Sequence, residues 1–289
     1  MVIVATSDVH LGYENAEKAA FDCFLDTVVR DDPTVTHLVL IGDIVDMWRR
    51  DASGVFLENR DTFNRLIEIQ KRIPVHYVAG NHDFHGNKLK NSQKTRYPFD
   101  FVHEDCGGAA GFLVAHDCLR LGEEGRNYRF VHGHQFDAEQ SEVMSEALCR
   151  VMSDGAGDFE SGLWAAYTRD WGELKYFFSV LFLFTKRNVR KTGERLLSGP
   201  GSRLKDTLDS VEQGACNAVT GDEILVFGHT HHPFISGKKN VINTGSWVTG
   251  EGSSYHNTWV RLEPAGPRVF ALDIGEITDR IRKDCKKAP

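Results

Sequence analysis

The sequence predicts an α/β fold with parallel strands, and three observations point to it. Apolar runs at 2–6, 37–41 and 74–78 alternate with stretches of helical periodicity, the order that produces parallel strands joined by helical crossovers. Each run gives way to a short polar stretch containing Gly and Asp, Asn or His; in parallel sheets, functional groups collect beyond the carboxyl ends of the strands. The length of 289 residues suits one such domain carrying an insertion.

Residues 2–6 are continuously apolar up to Thr6, as a strand buried on both faces requires, and end at Ser7-Asp8-Val9-His10. A helix is expected over 16–30, with Ala19, Ala20, Phe24 and Val28 on one side and Asp31-Asp32-Pro33 as its stop. The second strand, 37–41, breaks at Gly42-Asp43-Ile44-Val45-Asp46. An amphipathic helix over 57–72 leads to the third strand, 74–78, and to Gly80-Asn81-His82-Asp83. Further strands are expected at 112–115 and 128–131, the latter running into His132-Gly133-His134. Residues 138–204 read as helical, with glycine breaks near 155–157 and 199–201. A helix over 203–217 precedes the strand 223–227, which delivers Gly228-His229-Thr230-His231. The runs at 241–247, 258–262 and 268–272 are spaced like a meander. The chain thus divides into a core of 1–137 and 205–289 and a helical insertion or lid, 138–204.

The net charge of −7 argues against a protein whose main task is gripping nucleic-acid backbone. Six cysteines (Cys23, Cys106, Cys118, Cys149, Cys216 and Cys285) show no C-x-x-C spacing and read as reduced thiols of a cytoplasmic protein. The chain enters a strand at once, with no signal-peptide pattern, and no apolar run reaches the ~20 residues of a spanning helix.

The polar stretches hold the chemistry. Asp8 and His10, like His229 and His231, are two residues apart, so on an extended chain both members of a pair face one side. Asp43 offers a carboxylate able to bridge two ions, while Asn81 and His132 add an oxygen and a nitrogen. Seven donors of this mixed kind fit two metals better than one. They favour manganese, iron, cobalt or zinc over calcium or magnesium without ranking those four; manganese is taken as the expected ion. A two-metal site about 3.5–4 Å across activates a water and clamps both ends of a displacement at phosphorus.

The five runs together resemble the calcineurin-like metallophosphoesterase superfamily, whose signature is D-x-H, G-D-x-x-D, G-N-H-D/E, H and G-H-x-H; the likeness extends over about 1–247. The resemblance implies a four-layer αββα sandwich of two mixed sheets. It implies two divalent cations, one held by Asp8, His10, Asp43 and His231 and the other by Asp43, Asn81, His132 and His229. It further implies hydrolysis of a phosphate ester by a hydroxide bridging the metals, with His82 contacting the phosphate and protonating or stabilising the leaving oxygen, and with Asp46 and Asp83 orienting ligands. Met47-Trp48 and Asp83 depart from the protein-phosphatase pattern. The runs at 46–50 and 228–233 look more like the UDP-2,3-diacylglucosamine pyrophosphohydrolase branch, which carries Arg where this chain has His82 and Asp where it has His134.

Arg49, next to the second motif, offers a bidentate contact to substrate phosphate; Arg50 offers the same. The aromatic and then cationic segment 173–195 reads either as a packed lid helix or as a surface for a lipid tail or membrane interface. The expected substrate is a small-molecule, nucleotide or lipid-linked phosphodiester or pyrophosphate, with a phosphomonoester as a variant. A nuclease and a non-catalytic scaffold on the same fold are the competing readings. The first needs a basic groove, the second a loss of ligands.

Overall fold

Ile3–Thr6 forms β1, and all four residues are buried. Strand alternation sends Ile3 and Ala5 to one face and Val4 to the other, where they join two different cores. The structure, a computed structural model, describes residues 1–50, 52–83, 113–115, 118–123, 125–136, 200–238, 240–250 and 252–285.

β1 pairs in parallel with β2 (His37–Ile41), β2 with β3 (Val75–Val78) and β3 with β4 (Leu113–Ala115). On its other side β1 receives β10 (Thr258–Glu263) antiparallel, followed by β11 (Gly266–Ala271) and β12 (Gly275–Glu276). Among the described residues this mixed sheet has seven strands in the order β12-β11-β10-β1-β2-β3-β4. The second mixed sheet is built from β5 (Leu119–Glu123), β6 (Arg126–Phe130), β7 (Glu223–Phe227), β8 (Phe234–Ser236), β9 (Val241–Asn243) and β13 (Arg282–Lys283). Its order is β13-β8-β9-β7-β6-β5.

Burial defines the layers. Ile3, Ala5, Val39 and Ile41 of the first sheet meet Phe130, Val226 and Ile242 of the second in a shared core. On the outer side of the first sheet, Val4, Leu38 and Leu40 pack on Phe21 and Phe24 of α1 (Lys18–Phe24) and on Phe63 and Leu66 of α3 (Arg60–Gln70). On the outer side of the second, Leu225 and Phe227 pack on Val211 and Ala215 of α4 (Pro200–Ala218). The architecture is therefore the expected αββα sandwich of two mixed sheets.

Local elements depart from the periodicity in four places. The helix expected over 16–30 is α1 followed by a π-helical turn, Leu25–Arg30, where the β-branched residues Thr27, Val28 and Val29 crowd successive turns. The helix expected over 57–72 is two helices, α2 (Ala52–Glu58) and α3, interrupted at Asn59. The Asn59 side-chain amide donates to the Val55 carbonyl, a local bond that competes with helix propagation. The C-terminal strands are not one meander. β9 lies in the second sheet between β8 and β7, and only β10, β11 and β12 form a meander in the first. Finally, Cys216 and Cys285 form a disulfide across 69 positions, so the reading of six reduced thiols is corrected. The parallel pairing of β13 with β8 carries the chain end to α4, a proximity that cysteine spacing does not encode. Cys23 is exposed and Cys118 half-buried, both free. Most of the expected insertion, 138–204, including the aromatic segment 173–195, lies outside the described residues. Among the described residues, no helix is long and apolar enough to cross a membrane.

Candidate metal centre

The loops after β1, β2, β3, β6 and β7 converge beyond the strand ends. The Asp8 N–H donates to the Gly42 carbonyl (3.0 Å), the His10 N–H to the Asp43 carbonyl (2.8 Å) and the Gly228 N–H to the His132 carbonyl (2.8 Å). Asp8, His10, Asp43, His229 and His231 all adopt left-handed backbone conformations, with φ between 51° and 69°. That region costs about 1–2 kcal/mol per L-residue, and Asp and His are among the types that enter it most readily. The extended geometry expected over 8–10 and 229–231 therefore does not persist. The pairing of side chains survives because Val9 turns into the helix-side core between its two neighbours.

The loops touch closely enough to demand glycine. A Cβ on Gly80 would stand 2.1 Å from Asp43 Oδ1. One on Gly42, at φ +75°, would stand 2.6 Å from His132 Nδ1. Both distances lie well inside van der Waals contact.

All seven proposed ligands come together, and their donor atoms form two groups. Asp8, His10 and His231 offer atoms within 4.8 Å of one another, as do Asp43, His132 and His229. His231 Nε2 lies 3.3 Å from Asp8 Oδ1 and 3.2 Å from His10 Nε2. His132 Nε2 lies 3.2 Å from Asp43 Oδ2 and 3.0 Å from Asn81 Oδ1. Asp43 Oδ2 also stands 3.8 Å from His10 Nε2, so this carboxylate touches both groups.

Partners behind the candidate ligands set the direction of each ring. His132 Nδ1 bonds to the Ile41 carbonyl (2.9 Å) and His10 Nδ1 to Asp46 Oδ2 (3.0 Å), which turns both Nε2 atoms inward. Asp46 is fully buried. Its Oδ1 also accepts the backbone N–H groups of Trp48 and Arg49 (3.1 and 3.0 Å) and faces His82 Nδ1 at 3.1 Å. Asp83 ties the motifs to one another: it accepts from the Ile44 N–H (3.0 Å), the Gly80 N–H and the Tyr77 hydroxyl. Arg49 is already engaged, its guanidinium bonded to Asp46 and lying 4.2 Å from the Tyr13 ring centroid. Arg50 pairs with Glu58. His134 is buried behind the site, its ring centroid 5.5 Å from that of His132.

Several supporting residues carried no sequence signal. Asn243 donates to the Gly228 carbonyl (2.8 Å) and to Thr230 Oγ1 (3.0 Å), shaping the loop between His229 and His231. Ser7 bonds to Asp8 Oδ2, with Thr244 beside it at 2.5 Å. Only Ser7 is marked, by adjacency to a ligand; the others act from far along the chain.

The donor set fits divalent cations. Asp8 Oδ1 is buried and accepts no well-aligned hydrogen bond, while Oδ2 takes Ser7 and the His229 N–H (2.9 Å). The free oxygen faces the histidine nitrogens. Burial works against the charged carboxylates, yet His132 and His231 hold Asp8 below its ordinary range, and His132, His82 and His10 hold Asp43 well below. Burial likewise opposes charge on His132, but Asp43 and Asp8 push it up to about 9. Burial and the Asp43 charge push Asp83 up to about 7. The cluster thus holds an excess of buried negative charge that draws in protons and suits cations. Imidazole, carboxylate and amide donors together are a set for first-row transition ions.

Fold and site together define a metal-dependent phosphoric ester hydrolase. The chain belongs to the calcineurin-like phosphoesterase family, whose model matches residues 1–233. It is 24% identical over 256 residues to a UDP-2,3-diacylglucosamine hydrolase of Shewanella sp. (strain MR-7), covering 83% of this chain and 87% of that protein. A second relative of that name, from Shewanella sp. (strain MR-4), is 25% identical over a similar span, 83% of this chain and 87% of that protein. Among solved structures it is similar to Yfce, a phosphoesterase from E. coli, with a TM-score of 0.47 and 15% identity over 96% of this chain and 97% of that one.

Proposed function

We propose that this chain hydrolyses a phosphodiester or pyrophosphate, with Asp8, His10, Asp43 and His231 holding one divalent cation and Asp43, Asn81, His132 and His229 the other. The observation that carries this reading is the pair of donor groups joined through Asp43. Two such cations, manganese by preference, would supply an activated water and neutralise charge developing on the phosphoryl oxygens.

The remaining work falls to the chain. His82 turns Nδ1 towards the Asp46 carboxylate, 3.1 Å away, which leaves Nε2 as the nitrogen for the substrate. A proton on that nitrogen can pass to the leaving oxygen, and a charged ring there stabilises the phosphoryl group. Asp46 bonds to His10 and lies beside His82. A nucleotide- or lipid-linked substrate is supported by the relatives named UDP-2,3-diacylglucosamine hydrolase, since a UDP conjugate contains a pyrophosphate.

Metal-stripped protein should be inert towards bis-p-nitrophenyl phosphate and regain turnover with manganese. Absence of turnover with every divalent ion tried would sink the proposal. His82→Ala should keep both cations and lose about 10²-fold or more in kcat.

A further inference from the structure

Three consecutive residues of the second motif each address a different part of His82. The Asp46 carboxylate faces its Nδ1 at 3.1 Å. The Met47 N–H donates to its carbonyl (3.3 Å). The Trp48 indole lies almost parallel to its ring, 4.0 Å between centroids at 20°. Asp43, at the head of the same motif, accepts the His82 N–H through Oδ1 (2.8 Å), and the His10 ring of the first motif meets the imidazole edge-on at 4.7 Å and 86°.

Among the described residues, Met47 belongs to the helix-side core cluster and its neighbour Trp48 does not. Its indole nitrogen is buried with no hydrogen-bond partner among the described residues, and leaving a buried donor unsatisfied costs stability. An aromatic ring seated at that cost is held for its face rather than for its N–H. Asp46 lies 3.1 Å from one imidazole nitrogen without a well-aligned hydrogen bond to it, so this contact alone leaves the ring able to turn. A parallel indole restricts that freedom, because stacked aromatic rings favour one relative orientation.

We infer that Trp48 is a positioning residue, which with Asp46 clamps the His82 ring so that Nε2 is presented to the phosphate group. This inference rests on the proposed role of His82. Ring misplacement of about 1 Å can cost 10²-fold in rate, so Trp48→Ala should lower kcat at least about tenfold. KM and the number of bound cations should stay near their wild-type values. Trp48→Phe, which keeps a stacking face and removes the orphaned donor, should recover most of the rate. In the His82→Ala background, Trp48→Ala should change kcat less than about twofold.

An equal loss from Trp48→Ala with and without His82 would overturn the inference while leaving the hydrolase reading intact. So would a Trp48→Phe protein as impaired as Trp48→Ala, because the indole N–H would then be the working group. A readout independent of activity is the NMR spectrum of the His82 ring protons. They should be shifted upfield by the indole in wild type and lose that shift in Trp48→Ala. If wild-type protein shows the shift but no turnover with any cation, the functional reading fails and the clamp stands. If the shift is absent, the clamp fails.

Discussion

Replacing Asp46 by Asn keeps the shape of the side chain and changes what its atoms can offer. Oδ1 receives two backbone N–H groups, from Trp48 and Arg49, so the amide oxygen of an Asn belongs on that side. The amide NH2 then faces His10 Nδ1, where Asp46 Oδ2 now accepts at 3.0 Å. A donor at that position requires Nδ1 to accept, which moves the ring proton to Nε2. That nitrogen is the one 3.2 Å from His231 Nε2 and 3.8 Å from Asp43 Oδ2, and a protonated nitrogen cannot bind a cation. Loss of such a partner behind a ligand costs about 10–100-fold in metal affinity, which corresponds to about 1.4–2.7 kcal/mol. Calorimetric titration of manganese into metal-free Asp46→Asn should therefore show one cation bound as in wild type and one weakened by that factor. Two unweakened cations would refute the assignment of His10 as a ligand oriented by Asp46.

Cation binding should depend on pH through His132. Its folded-state pKa is raised to about 9 from an ordinary 6.5, so its proton stabilises the metal-free protein fully below pH 6.5, and that contribution is lost as pH rises through 9. The entering cation must displace this proton; apparent affinity should climb between pH 7 and 9 by up to about tenfold per unit. An affinity flat over that interval would contradict the charge balance described for the cluster. The disulfide makes a separate prediction. Closing a loop of 69 positions should stabilise the fold by about 4 kcal/mol on the chain-entropy model. Cys216→Ser should lower the denaturation midpoint by a matching amount, and reduction should have no effect on that variant. Equal midpoints for wild type and Cys216→Ser under oxidising conditions would show that the bond does not constrain the unfolded chain.

What the sequence reveals about this protein depends on how local each cause is. The parallel strands were legible because Ile3 to Thr6 and His37 to Ile41 are apolar on both faces and break at ligand and glycine residues. The convergence of Asp8, His10, Asp43, Asn81, His132, His229 and His231 was legible as a pattern of donors at strand ends. The left-handed backbone that delivers five of them was not, since an Asp or His codes equally for an extended residue. Val241–Asn243 is a short apolar run that fits either sheet; its place between β7 and β8 is set by tertiary pairing. The stacking of Trp48 on His82 and the bond from Tyr77 to Asp83 reach between motif loops or from strand to loop. No spacing rule announces them. Cys216 and Cys285 meet because β13 joins β8, a pairing of two-residue length that periodicity cannot register.

The position of β1 between β10 and β2 bears on how the protein is made. The strand that leads to Asp8 and His10 takes its left-hand neighbour from Thr258–Glu263, more than 250 residues later. Until that segment has left the ribosome, β1 is an exposed edge with unpaired backbone groups. Trp247, whose indole donates to Thr6 Oγ1 (2.7 Å) and whose N–H donates to the Asp8 carbonyl (2.9 Å), is likewise missing. The first two motifs are therefore synthesised early and completed last. Contacts of such long sequence separation slow folding, so the loop that carries Asp8 and His10 gains its last supports only when the chain is nearly complete.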